Sequence, residues 1–157
     1  IDSNACLKIG RFEVQAFPVP HDAREPVQYV FSNKQFRLGV LTDIGEITAH
    51  VRDMLSGCDG LVLECNHDAQ MLAGSDYPPS LKRRIAGRCG HLENTCAASL
   101  LTQIDCSRLQ HLVAAHLSER NNQPELAVDA LAAALQCDIN WSGVASPETG
   151  FAWRVIV

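Results

Sequence analysis

The segment Leu109-Gln-His-Leu-Val-Ala-Ala115 is a short apolar run with His116 at its end, and Gln123–Gln136 beyond it sets Leu126, Ala130, Leu131, Ala134 and Leu135 at helical spacing. A brief apolar run followed by an amphipathic period is the signature of a buried strand leading into a helix. The same alternation precedes it. Leu61–Leu63 is a wholly apolar strand closed by Glu64, Pro78 or Pro79 suits the first turn of a helix carrying Leu81 and Ile85, and Asn94 or Thr95 can cap a helix through Leu101. Further back, Thr48–Ser56 presents Val51, Met54 and Leu55 on one helical face and stops at Gly57, and His67–Ala73 reads as a short helix halted at Gly74.

The first forty residues differ. Phe12, Val14 and Ala16 alternate with Arg11, Glu13 and Gln15, the period of a half-buried strand, and Pro18 and Pro20 end it. Val27–Phe31 and Phe36–Leu41 read as a hairpin joined through Ser32-Asn33-Lys34, and Phe151–Val157 reads as a final strand. A strand meander followed by alternating strands and helices predicts an α/β (α+β) domain, with a mixed sheet and helices covering one face.

Composition narrows the possibilities. The 157 residues, 46% of them apolar, suffice for one domain with a real core, and a net charge of -5 argues against holding nucleic acid by charge alone. Metal ions can neutralise phosphates locally, so a nuclease stays open. The seven cysteines are odd in number and form no CxxC pair, a pattern of reduced thiols and a cytoplasmic location. No run approaches the roughly 18 apolar residues of a membrane span, and no signal peptide is visible.

Three polar residues each follow an apolar run that reads as a strand: His21, Asp43 and His116. Ends of neighbouring strands converge on one sheet edge, and two imidazoles with a carboxylate suit a divalent metal such as zinc or manganese. The bland alternative is that each terminates a strand and bonds a loop.

The surrounding words favour the first reading. Phe17-Pro-Val-Pro-His-Asp-Ala-Arg-Glu-Pro-Val-Gln-Tyr29, then Leu41-Thr-Asp-Ile-Gly45, then Ala115-His-Leu-Ser-Glu-Arg-Asn-Asn122 resemble, in order, the metallo-β-lactamase-fold hydrolases, in particular the bacterial YycJ/WalJ-like branch related to ribonuclease Z. The resemblance implies half of an αββα sandwich, with residues 1–157 as the carboxy-terminal half of the domain. It also implies a dinuclear site, with two divalent ions (zinc or manganese) in the complete protein. His21 would bind one ion, Asp43 would bridge both, and His116 would bind the other, so that a metal-bound hydroxide attacks a phosphodiester. Gly90-His91-Leu92 resembles the Gly-His segment of the ribonuclease Z relatives, which makes His91 and Glu64 the implied catalytic pair; otherwise they are a buried hydrogen bond bracing the sheet.

Other polar residues have plainer readings. His67 is read as opening a helix beside Asp68, and His50 and His111 as structural or exposed. Lys82-Arg83-Arg84 is read as a solvated helix face. Arg24, Arg120 and Asn122 flank the histidines, where they meet either phosphate oxygens or loop partners.

The superfamily's His-x-His-x-Asp-His signature is absent from these 157 residues. The resemblance places it ahead of residue 1, so the chain is expected to be a fragment with little hydrolysis of its own. An uncovered apolar face is then expected to drive homo-oligomerisation or association with the missing amino-terminal half. The parent would be a metal-dependent phosphodiesterase or nuclease. A different class of function, a non-catalytic α/β interaction module without a complete metal site, gives no physical reason for three potential ligands at strand ends.

Overall fold

A computed structural model describes residues 6–157. Seven strands form a single sheet in strictly sequential order. They are β1 (Cys6–Ile9), β2 (Phe12–Pro18), β3 (Val27–Ser32), β4 (Arg37–Leu41), β5 (Gly60–Glu64), β6 (His111–Ala115) and β7 (Gly143–Val144). The first three pairings are antiparallel and the last three parallel. Antiparallel neighbours need only tight turns. At the β3–β4 turn the Asn33 side chain accepts from the backbone of Gln35 and Phe36, and Lys34 adopts φ 74°. Parallel neighbours need crossovers, and the helices supply them.

α1 (Ala49–Leu55) links β4 to β5, and α2 (Ala69–Gly74), α3 (Pro79–Ile85) and α4 (Asn94–Leu101) lie between β5 and β6. α5 (Pro124–Leu135) follows β6. Thr48 caps α1 and Asp68 caps α2, and Pro79 opens α3 in its first turn, as the sequence predicts for that proline. At α4 the expectation fails. Asn94 is the first helical residue rather than a cap, because its amide is turned inward onto Asn122.

The core lies between one sheet face and the helices: Leu41, Leu61, Leu63, Leu112 and Ala114 pack with Val51, Leu55, Ala97, Leu100, Ala127 and Leu131. This is the mixed sheet with helices on one face that the periodicity predicts. The tail departs from expectation. Residues 151–157 add no strand; they cross Leu38, Gly60, Val62 and Val113 on the other sheet face and are tied down by side chains. Gln110 bonds both to Val157 N and to Val157 O, and His111 Nε2 bonds Val155 O at 2.8 Å. Trp153, Val155 and Val157 remain exposed on its outer side.

Direction places the site. β2, β4, β5 and β6 all run the same way, so their carboxyl ends share one edge of the sheet.

Candidate metal centre

His21, Asp43, Glu64 and His116 lie at or just beyond the carboxyl ends of β2, β4, β5 and β6, and His91 arrives on the loop between α3 and α4. All five residues singled out from sequence meet there. Asp43, Glu64, His91 and His116 each bring one donor atom within 4.8 Å of the others. His21 Nε2 lies 3.6 Å, and His116 Nε2 3.8 Å, from Asp43 Oδ1. The His91 ring sits between the other two, its centroid 5.1 Å from that of His21 and 5.2 Å from that of His116.

Glu64 belongs to this cluster by distance, but its oxygens are already engaged. It is fully buried and takes five hydrogen bonds. Oε1 accepts from His116 Nδ1 at 2.6 Å, His91 Nδ1 at 2.9 Å and Asp43 N at 3.2 Å; Oε2 accepts from Ile44 N at 3.1 Å and Leu92 N at 3.2 Å. Burial works against its ionisation, but the bonds from His116, His91 and Ile44 outweigh burial and bring the carboxyl down to about 2. At neutral pH it is a carboxylate that can only accept, so both imidazoles carry their proton on Nδ1. The hydrogen bond to Glu64 in turn raises the pKa of His116 against the effect of burial.

His21 is fixed in the same way by another acceptor: its Nδ1 donates to Gly90 O at 3.0 Å. In neutral imidazoles of this tautomer every Nε2 presents a lone pair, and those of His21 and His116 face the Asp43 carboxylate. A set of imidazole nitrogens and one carboxylate, each nitrogen oriented from behind, fits a divalent transition metal. The Asp43 and His116 side chains are 47% and 41% exposed, so the cluster opens to solvent.

The backbone is strained at two of these candidate ligands. Asp43 (φ 49°) and His116 (φ 57°) both adopt the left-handed region, which costs an ordinary residue about 1–2 kcal/mol. Asn66 holds one of them: its Nδ2 donates to His116 O at 2.9 Å, while Ser118 N donates to Asn66 O. The Asp43 loop is pressed onto the His91 loop at Gly45. A Cβ there would lie 2.5 Å from both Arg88 O and Gly90 N, so only glycine permits the approach.

The remaining candidates are placed elsewhere. His67 precedes the α2 cap, buried, with Nδ1 unpartnered among the described residues. His50 is exposed on α1, and Asn122 is buried against Asn94 and Cys65 O, out of reach of any substrate. Arg84 pairs with Asp22 at 2.6 Å, Lys82 Nζ bonds Ala73 O and Ser75 O, and Arg120 lies over the Tyr77 ring. Sequence reasoning passed over Asn66 and Tyr77. Asn66 neighbours a charged, histidine-bearing string that drew attention first, and Tyr77 carries no periodic signal.

Comparison with known proteins shows the family. Residues 1–117 match the family described as the Beta-lactamase superfamily domain. The chain is 40% identical over 118 residues to exodeoxyribonuclease YycJ of Bacillus anthracis, covering 75% of the chain and 45% of that protein. It is 33% identical over 118 residues to exodeoxyribonuclease WalJ of Streptococcus pneumoniae, covering 75% of the chain and 44% of that protein. The chain thus spans a little under half the length of these relatives. The crystal structure of YhfI from Bacillus subtilis, a metallo-β-lactamase-fold protein, superposes with a TM-score of 0.70 at 14% identity, over 98% of this chain and 54% of that one, a likeness of fold. Among the described residues no helix is long and apolar enough to cross a membrane.

Proposed function

Because the chain belongs to the β-lactamase superfamily, we propose that it is the carboxy-terminal half of a divalent-metal-dependent phosphodiesterase acting on nucleic acid. The observation that carries this reading is the orientation of His21 and His116, whose Nδ1 atoms are bound from behind while their Nε2 atoms face Asp43. The exodeoxyribonuclease names of the relatives support a nucleic-acid substrate.

In this reading His21, Asp43 and His116 would hold divalent metal, zinc or manganese. Bound there, the ions supply Lewis acidity that acidifies a water molecule and offsets charge on the phosphoryl oxygens. The chain's own residues do the rest. Glu64 and Gly90 O set the imidazole tautomers, so Glu64 is a positioning residue. His91, 24% exposed and braced by Glu64, presents Nε2 to a scissile phosphate and holds or releases a proton at that atom. Three such side chains, His21, Asp43 and His116, are too few to hold two ions, so in this reading the remaining ligands would come from a part of the protein carrying His-x-His-x-Asp-His. Residues 1–157 alone are accordingly inactive, and the exposed apolar residues of the tail and β1–β2 are where the other half or a second copy associates.

The test is Asp43→Ala in the complete protein, with zinc and manganese binding measured by equilibrium dialysis beside hydrolysis of bis(p-nitrophenyl) phosphate and DNA. Loss of at least one tight ion and of nearly all turnover is expected. Normal turnover with one ordinary mononuclear site would sink the bridging role. A parent that binds neither ion would return the chain to a non-catalytic interaction module.

A further inference from the structure

Arg120 and Tyr77 lie against each other from two loops, and nothing in the proposed chemistry uses them. The guanidinium carbon of Arg120 lies 5.9 Å from the Tyr77 ring centroid. Among the described residues Arg120 makes no ion pair. A cation–π contact at this distance leaves the guanidinium N–H groups able to meet a phosphate. Arg120 borders an open groove of about 530 Å³ that Met71, Gly74, Ser75 and Asp76 also line, and Tyr77 follows Asp76 in the chain.

Both loops are braced. Asp68 N donates to Asn121 O and Asn121 N to Ser118 Oγ, which flank Arg120. On the other side Lys82 Nζ bonds Ser75 O and Ala73 O, steadying the turn that presents Tyr77. Arg120 is four residues beyond His116, so their Cα atoms are at most about 14 Å apart. That is a reach suited to the nucleotides flanking a phosphate held at the metal centre.

We propose that Tyr77 and Arg120 form a binding shelf for single-stranded nucleic acid, the ring stacking on a base and the guanidinium contacting a backbone phosphate. The shelf rests on the phosphodiesterase reading, since it binds the strand whose linkage lies at the metals. Ring stacking tolerates any base, so the shelf would bind a strand without regard to its sequence. The Asp76 carboxylate repels phosphate from its own end of the groove and leaves the phosphate contact to Arg120.

The experiment uses the full-length protein, a fluorescein-labelled single-stranded phosphorothioate oligonucleotide that resists cleavage, and Arg120→Ala, Tyr77→Ala and Tyr77→Phe. Each alanine variant is expected to weaken binding about tenfold, with Tyr77→Phe near the parent. Arg120→Ala should also flatten the salt dependence of log K by about 0.7. Kinetics on bis(p-nitrophenyl) phosphate, too small to reach the shelf, should be unchanged, while KM for a cleavable strand rises. Alanine variants that bind as tightly as the parent, or that lose only melting temperature, overturn the proposal, as does a parent that binds no strand. Binding is read without turnover. A parent that fails to hydrolyse would therefore overturn the phosphodiesterase reading, while the binding losses would still support the shelf.

Discussion

Replacing Glu64 by glutamine swaps one oxygen for an NH₂ group in a pocket where five donors converge on two oxygens. Two orientations of the amide compete. If NH₂ takes the place of Oε2, it faces the N–H groups of Ile44 and Leu92 and leaves both unsatisfied. At about 1–3 kcal/mol per buried orphan, that orientation costs about 2–6 kcal/mol. If NH₂ replaces Oε1, His91 and His116 can accept from it once their protons move to Nε2, and only Asp43 N–H is orphaned, at about 1–3 kcal/mol. The second orientation wins without metal, and it removes the lone pair that His116 would offer a cation. Metal binding must then reverse the flip, at a cost of about 1–3 kcal/mol, which is roughly five- to 150-fold in affinity. Thermal unfolding of the metal-free variant should fall by only about 2–12 °C for a chain of this length. Zinc competition against a chromophoric chelator gives the affinity, and ¹⁵N spectra of the imidazoles give the tautomers. Undiminished zinc affinity, or His116 still protonated on Nδ1 in the variant, would refute this reasoning.

Three further outcomes are expected. Asn66→Ala removes the bond to His116 O, which should cost about 1 kcal/mol in denaturant unfolding and weaken zinc binding severalfold; unchanged affinity would mean the left-handed turn at His116 holds itself. Gly45→Ala forces the Asp43 and His91 loops apart, since the new Cβ meets backbone on both sides, and should cost about 1–3 kcal/mol or more, read by the same unfolding curve. Burial, with the charge of Glu64 adding to it, pushes the Cys65 thiol up to about 12. Because the fold holds the neutral thiol, its contribution is complete below the ordinary value of 9.0 and is lost as pH rises from there toward about 12. Alkylation at pH 8 followed by peptide mass spectrometry should therefore label exposed Cys89 well before Cys65, and equal rates would contradict the burial argument.

The site was legible in sequence to the extent that strand ends are. His21, Asp43 and His116 each stand where an apolar run stops, and parallel strands bring such positions to one edge whatever the loops between them do. Glu64 was legible as a strand end too, but not its enclosure. A carboxylate that takes three backbone donors besides two imidazoles depends on how the loops at Asp43, Ile44 and Leu92 fold over it, and no local pattern encodes that. The positive φ at Asp43 and His116 was hidden for the same reason, since aspartate and histidine tolerate the left-handed region without the glycine that would have marked it. The tail misled in the opposite direction. Its apolar residues have the composition of a strand, yet side chains of Gln110 and His111 hold it flat on the sheet, and side-chain tethers leave no periodic trace.

The sequential strand order has a consequence for how the molecule is made. Each new strand pairs with the one just laid down, so a chain emerging from the ribosome meets its next neighbour already in place. The cluster fills in the same order: His21, Asp43, Glu64, His91 and finally His116. Until β6 docks, Glu64 lacks its shortest hydrogen bond, the one to His116, and the half-built edge holds no pair of histidines facing Asp43. If the cluster binds metal as proposed, capture of a cation would wait until β6 has docked, after α1 to α4 have been made.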